Sequence, residues 1–101
     1  MAVVVRIPTP LQKFTKNQSA VQVESSTIQD MVNDLEQSFP GIRERLCDEH
    51  GAIRKFINLY LNDEDIRFID GEKTTLKDGD EVAIIPAIAG GYLQVRDTIM
   101  P

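Results

Sequence analysis

The sequence predicts one small α+β domain in which a mixed sheet of four to five strands packs on one main helix. Val/Ile-rich segments at 2–7 and 81–86 have the composition of central strands. Between them, residues 27–39 carry the clearest amphipathic helical pattern in the chain. A chain of 101 residues is long enough for one hydrophobic core but not for two.

The N-terminal segment predicts a β-hairpin. Val and Ile dominate residues 2–7, and Pro8-Thr9-Pro10 ends this first strand because proline lacks a backbone N–H. Residues 11–17 are expected to form a loop. The alternation of apolar and polar side chains over 20–24 then predicts a second strand paired with the first.

The main helix is expected to begin at Thr27. Asp30 follows three residues later, which resembles a capping box with Asp in place of the usual Glu. Apolar side chains then recur at the spacing of one buried face, at Ile28, Met31, Val32, Leu35 and Phe39. Pro40-Gly41 ends the helix, and residues 42–47 predict a short second helical turn.

The C-terminal half predicts three further strands. The first spans 55–61, the second is a short strand over 66–68, and the last covers 81–86 after the Asp78-Gly79 turn signal. Alternation over 55–61 places Ile57, Leu59 and Leu61 on the inner face and Phe56, Asn58 and Tyr60 on the outer face. Since the first and last strands are both Val/Ile-rich, they are expected to be parallel neighbours at the centre of the sheet. This order of elements is a β-grasp arrangement.

Charge and composition exclude several classes of function. The net charge is −5 and no basic cluster occurs, so neither nucleic acid nor an anionic membrane is an expected partner. No apolar run approaches the roughly 20 residues that span a bilayer, and the N-terminus lacks a signal-peptide pattern. One cysteine cannot form an internal disulfide. We therefore expect a cytoplasmic protein.

The motif with the strongest chemical meaning is Gly90-Gly91, which follows Pro86-Ala87-Ile88-Ala89 directly after the last predicted strand. Small side chains make a thin arm that reaches about 17 Å over 87–91 when extended. Pro86 would stiffen the base of this arm, and Ile88 would anchor it in a partner's channel. Gly91 has no free carboxylate, because ten residues follow it. The alternative is a flexible joint before a further strand.

Four segments resemble the sulfur-carrier branch of the ubiquitin-like β-grasp proteins, typified by MoaD and ThiS. They are the N-terminal hairpin, the helix at 27–39, the stretch Leu76 to Val82 with its Asp-Gly-Asp turn, and the stretch Ile85 to Gly91. Residues 44–46 and 58–68 further resemble the carriers that serve cysteine synthesis. Members normally end at Gly-Gly, so the resemblance implies a carrier domain over 1–91 and an extension over 92–101 that proteolysis removes.

The resemblance also implies a reaction sequence and its partners. A JAMM-type zinc metalloprotease would cleave between Gly91 and Tyr92, and an E1-like activating enzyme would adenylate the Gly91 carboxylate with ATP. A sulfur donor would convert the adenylate to a thiocarboxylate. The acceptor would be an aminoacrylate held on pyridoxal phosphate by a cysteine synthase-like enzyme. The chain itself would bind no cofactor and would be a protein co-substrate rather than an enzyme.

Three other functions remain open at this point. The chain could be the small subunit of molybdopterin synthase, a protein modifier joined to lysines through Gly91, or a β-grasp binding module without C-terminal chemistry. Phe56, Tyr60 and Ile85, joined by Val4, are expected on the outer face of the sheet. They form either a docking patch for the activating enzyme or a surface covered by 42–55 or by the C-terminal extension.

Cys47 and His50 are the residues that most invite a catalytic interpretation. With no second cysteine and no orienting group, Cys47 is expected to be a passive, half-buried thiol. His50 alone makes no zinc site, since structural zinc takes four ligands. The acidic run Asp63-Glu64-Asp65 lacks the spacing of a calcium loop and is expected to be a solvated turn.

Overall fold

The computed structural model describes residues 2–86 of the chain. Five strands form one mixed sheet: β1 (Val3–Arg6), β2 (Ala20–Val23), β3 (Ile57–Leu61), β4 (Glu64–Asp65) and β5 (Glu81–Pro86). Their order across the sheet is β2-β1-β5-β3-β4. β1 and β5 are parallel, and the other neighbouring pairs are antiparallel. The predicted α+β class, the β-grasp arrangement and the parallel central pair are confirmed.

Two α-helices follow the hairpin, α1 (Ile28–Ser38) and α2 (Ile42–Leu46). The hydroxyl of Thr27 accepts a hydrogen bond from the backbone N–H of Asp30 at 3.1 Å, so the predicted cap is formed. Gly41 separates the two helices with φ of +102°, and a Cβ there would lie 3.3 Å from a ring carbon of Phe14. The glycine is required at this position for both its backbone conformation and its lack of a side chain.

The hydrophobic core lies between α1 and the inner face of the sheet. From α1 it takes the predicted helical face, with Ile28, Met31, Val32 and Leu35 buried, and Phe39 is partly buried against it. From the sheet it takes alternate residues, namely Val3, Val5, Val21, Val23, Ile57, Leu59, Val82 and Ile84. Each fully buried aliphatic side chain contributes about 1.5–3 kcal/mol to folding.

The predicted strand over 66–68 is wrong. Ile66–Phe68 is a 3-10 helix, and the short strand is instead β4, which precedes it. The carboxylate of Asp65 accepts a hydrogen bond from the backbone N–H of Arg67 at 2.9 Å, which removes that donor from any strand ladder. The loop expected over 11–17 is also partly helical, since Thr9–Phe14 forms a 3-10 helix in which Leu11 is buried.

Within residues 2–86, none of the helices combines the length and the apolar character that a membrane span requires.

Candidate functional site

The C-terminal end of β5 is the point from which the predicted arm leaves the domain. Pairing with β1 ends where Arg6 lies opposite Ala83, whereas pairing with β3 continues until Ile57 lies opposite Pro86. The last three residues of β5 are therefore held by β3 alone among the strands described. Proline fits at this position because a strand end tolerates a residue without a backbone N–H. The start of β3 thus fixes the place at which the chain leaves the sheet.

The remaining residues of the predicted arm and cleavage site lie outside the described part of the chain. They are Ala87, Ile88, Ala89, Gly90, Gly91 and Tyr92. The division of the chain into 1–91 and 92–101 falls in the same region. The roles assigned to these residues stay predictions.

Strand register places Tyr60 and Ile85 on the outer face of the sheet. Ile85 lies opposite Asn58, and Tyr60 lies opposite Ala83. Residues directly opposite in an antiparallel pair share a face, and this face is the one turned away from the buried side chains of Leu59 and Ile84. Ile85 is 46% exposed and Tyr60 is half-buried.

Val4 lies on the same face of the sheet in β1, whereas Phe56 lies outside the strands. Val4 in β1 is opposite Glu81 and half-buried, and it alternates with the buried Val3 and Val5, so it also faces outward. Phe56 lies in the turn immediately before β3 and is 61% exposed. We use the name outer patch for Val4, Phe56, Tyr60 and Ile85. Its role as a partner surface stays a prediction.

Two ion pairs lie at the outer patch. Arg6 Nε donates to Glu81 Oε2 at 2.6 Å, between β1 and β5. On the other side, Asp65 lies opposite Tyr60, and its carboxylate accepts hydrogen bonds from Arg67 Nε at 3.1 Å and Arg67 Nη2 at 2.6 Å. These side-chain hydrogen bonds, with the backbone N–H of Arg67, hold the pKa of Asp65 below its usual value. The apolar side chains therefore lie between charged groups that are already paired.

Comparison with known proteins identifies the family. The family model described as "ThiS family" matches residues 5–91, which ends at the second glycine of the arm. The chain belongs to the ThiS family. The resemblance stated from the sequence is thereby confirmed, and the match covers β2 to β5, the second half of β1, both α-helices and the Gly-Gly motif of this ThiS-family protein.

Individual relatives agree with the family assignment. The sulfur carrier protein CysO of Mycobacterium tuberculosis is 45% identical over 93 residues, which cover 90% of this chain and all of that protein. The crystal structure of the BexX/CysO complex of Amycolatopsis orientalis matches with a TM-score of 0.84 and 42% identity, over 89% of this chain and 100% of that one. Mycobacterium tuberculosis CysO matches with a TM-score of 0.81 and 43% identity, over 85% and 99% of the two chains.

Cys47 in this ThiS-family chain is buried at the end of α2. Burial raises the pKa of its thiol, and the nearby carboxylate of Glu72 raises it further. His50 is exposed, with Nε2 3.6 Å from a carboxylate oxygen of Glu49. Within the described range, no group of three or more His, Cys, Asp and Glu side chains is placed to hold a metal ion. The structure does not bring Cys47 and the outer patch together, since Cys47 belongs to the core.

Two apolar residues for which no exposed position was predicted are Phe68, which is 82% exposed in the structure, and Ile69, which is 37% exposed. In a strand, Phe68 would share a face with the buried Ile66, two residues earlier. A 3-10 helix forms instead, with three residues per turn. Side chains that are two residues apart, such as those of Ile66 and Phe68, therefore point in different directions. The sequence signal for this 3-10 helix is Asp65, whose side chain caps it. That signal is weak, because Asp is common in turns of many kinds.

Proposed function

We propose that this chain is a CysO-like sulfur carrier, which delivers sulfur as a thiocarboxylate on Gly91 for the biosynthesis of cysteine or a related thio-metabolite. The observation that supports this most strongly is the 45% identity to CysO over the full length of that protein. The ThiS-family match, which ends at Gly91, supports the same residue as the reacting end.

Processing comes first in this proposal. Gly91 carries a peptide bond to Tyr92, so hydrolysis must add water across that bond to give a free carboxylate at Gly91 and a free amine at Tyr92. A JAMM-type zinc metalloprotease would supply the metal-activated water. The two glycines suit a narrow active site because they present no Cβ to its walls.

Activation then converts a poor electrophile into a good one. The Gly91 carboxylate attacks the α-phosphate of ATP in the E1-like enzyme, which releases pyrophosphate and leaves an acyl adenylate. A sulfide equivalent adds to the carbonyl carbon and AMP leaves, so one oxygen of the carboxylate is replaced by sulfur. The carrier supplies only the carbonyl group and the arm that delivers it.

Sulfur transfer completes the cycle. The thiocarboxylate sulfur would add to the carbon–carbon double bond of an aminoacrylate acceptor that a cysteine synthase-like enzyme would hold with pyridoxal phosphate. The neighbouring carbon would take up a proton, and the product would stay attached to the Gly91 carbonyl. Hydrolysis by the JAMM-type protease releases the product and restores the carboxylate. ATP, zinc and pyridoxal phosphate therefore belong to the partner enzymes in this proposal, and the carrier is their protein co-substrate.

The outer patch is the surface that we propose for docking on the E1-like enzyme. Two of its side chains, Tyr60 and Ile85, lie on β3 and β5, the pair of strands that holds the base of the arm, so a partner bound to them would receive the arm from a fixed position. Arg6 is paired with Glu81, and Asp65 is paired with Arg67. A partner that covers the outer patch would therefore not have to bury an unpaired charge of these four residues. The BexX/CysO complex shows that a related CysO binds a protein partner.

Intact-mass spectrometry tests the proposal directly. The full chain and a chain ending at Gly91 are incubated with ATP, the activating enzyme and a sulfide source. We expect the exchange of one oxygen for sulfur on the shortened chain only, and its loss when ATP is omitted. A Gly91→Ala variant of the shortened chain is the matched control, because it keeps the terminal carboxylate but adds a Cβ.

Three outcomes would contradict the proposal. Sulfur gain on the uncut chain would remove the requirement for processing. Co-purification with a large catalytic subunit in a stable heteromer would assign the chain to molybdopterin synthase. Isopeptide-linked adducts on lysines in cells, without a thiocarboxylate, would make it a protein modifier.

A further inference from the structure

An apolar groove lies beneath β3, on the side of the sheet opposite to the outer patch. Its volume is about 520 Å³. Its apolar wall consists of the partly buried Ile53 and of the buried side chains Ile57, Leu59 and Ile66, so Ile53 offers most of the accessible apolar surface among these four. Volumes of about 300–1,000 Å³ are typical of ligand sites in proteins. We call it the β3 groove.

The groove has a basic rim although the protein as a whole is acidic. Arg54, Lys55 and Arg67 line it together with one acidic side chain, Glu72, whereas the net charge of the chain is −5. Arg67 is paired with Asp65, and within residues 2–86 Lys55 takes part in none of the ion pairs. An occupant with apolar side chains and one carboxylate would therefore complement this groove.

The chain leaves the sheet at the edge of the groove. Pro86, the last described residue, lies directly opposite Ile57 of the apolar wall. The sequence continues for 15 residues after Pro86. Because residues 87–91 reach about 17 Å when extended, the segment 92–101 begins within reach of the groove.

The sequence of 92–101 matches the groove in an extended conformation. Leu93, Val95 and Asp97 are two residues apart and would share one side, while Gln94 and Arg96 would share the other. On the first side, Leu93 and Val95 would meet the apolar wall, and the carboxylate of Asp97 would meet the basic rim beside it.

A second groove of similar volume offers a poorer match. It also measures about 520 Å³, but Glu36, Glu44, Asp48 and Glu49 are among the residues that line it. Like-charge repulsion from these four carboxylates would disfavour Asp97 there, although Arg43 and Arg54 also line this groove.

We propose that residues 92–101 bind in the β3 groove of their own chain, with Leu93 and Val95 against the apolar wall and Asp97 at the basic rim. The segment then occupies a surface that becomes available only when it is removed. This inference does not depend on whether Gly91 carries sulfur, so sulfur transfer could fail while groove binding holds.

Methyl NMR spectra of full-length variants test the binding. We expect Leu93→Asp to move the methyl resonances of Ile57, Leu59 and Ile66, because the groove loses its apolar contacts. The matched control is Gln94→Asp, which adds the same charge one residue later, on the opposite side of the extended segment, and is expected to leave these resonances in place. Lys55→Glu should shift the same methyl groups, since it reverses a charge at the rim.

A synthetic peptide with the sequence of 92–101 gives a second measurement. Added to the Leu93→Asp full chain, it should restore the groove resonances only at millimolar concentrations, because a short tether provides an effective concentration of that order.

Three results would overturn the proposal. Groove resonances that are the same in Leu93→Asp and the parent would mean that the segment does not bind there. Changes confined to Ile85 and its neighbours would place it on the outer patch. Resonances that move with protein concentration in the parent would make the occupant a second copy of the chain.

Discussion

Replacing Ile85 with Asp tests whether the outer patch docks on the activating enzyme. Ile85 is 46% exposed, so a partner that covers it would bury about half of an isoleucine side chain. A whole buried isoleucine contributes about 1.5–3 kcal/mol, which gives about 1 kcal/mol for the newly covered half. A carboxylate left unpaired in the contact adds about 1–3 kcal/mol. Together these losses correspond to a decrease of at least about 30-fold in kcat/KM for adenylation.

The same substitution should leave the domain folded. The isoleucine half that is already buried contributes about 1 kcal/mol to folding, and Asp fits a strand less well by up to about 1 kcal/mol. A total near 2 kcal/mol is less than the 5–15 kcal/mol that typically separates folded and unfolded states.

The assay measures pyrophosphate release by the activating enzyme with a carrier ending at Gly91, together with urea unfolding of each variant. Gln29→Asp is the matched control, because it adds the same charge on the exposed side of α1, which packs on the face of the sheet opposite to the outer patch. We expect this control to be adenylated like the parent. If Ile85→Asp were folded and its kcat/KM stayed within twofold of the parent value, the docking role of the outer patch would be wrong.

Three further predictions concern the domain itself. Asp65→Asn should lower the urea midpoint at pH 7. The difference in midpoint between variant and parent should shrink below about pH 4. The reason is that folding lowers the pKa of Asp65, so the stability contributed by its carboxylate is lost as that group becomes protonated. Thr27→Ala should reduce the free energy of unfolding by about 1 kcal/mol through loss of the α1 cap, whereas Thr27→Ser should keep most of it. Leu35→Ala, at a fully buried position, should cost about 2–5 kcal/mol, and a loss below 1 kcal/mol would contradict the placement of α1 against the sheet.

The helix and the centre of the sheet were predictable because short-range signals there agree with the tertiary structure. Thr27 and Asp30 mark the start of α1, and the spacing of its apolar residues gives the buried face without further information. β1 and β5 are Val/Ile-rich because both lie at the centre of the sheet, which is also why their parallel pairing could be inferred.

The region after β3 was not predictable from the same patterns. Asn62 and Asp63 both adopt positive φ, which tightens the turn so that the return strand begins at Glu64. The side chain of Asp65 then ends that strand after two residues. Backbone conformation and side-chain hydrogen bonds of individual residues determine the structure of this region, and the spacing of apolar residues carries no information about them.

The candidate site was predictable in part. The alternation of β3 and β5 placed Tyr60 and Ile85 on the outer face, as register in the structure does. The ion pair between Arg6 and Glu81 could not be foreseen, since these residues are 75 positions apart in sequence and meet only through the parallel pairing of β1 and β5.

The burial of Cys47 has a practical consequence for studying this protein. It is the one cysteine in the sequence, and it lies in the core with a pKa above that of a free thiol. An alkylating reagent can therefore modify the native protein only when the end of α2 opens transiently, so the modification rate reports the free energy of that opening. The wild-type chain thus carries its own reporter, with which the effect of a bound partner on local unfolding can be followed without an introduced label.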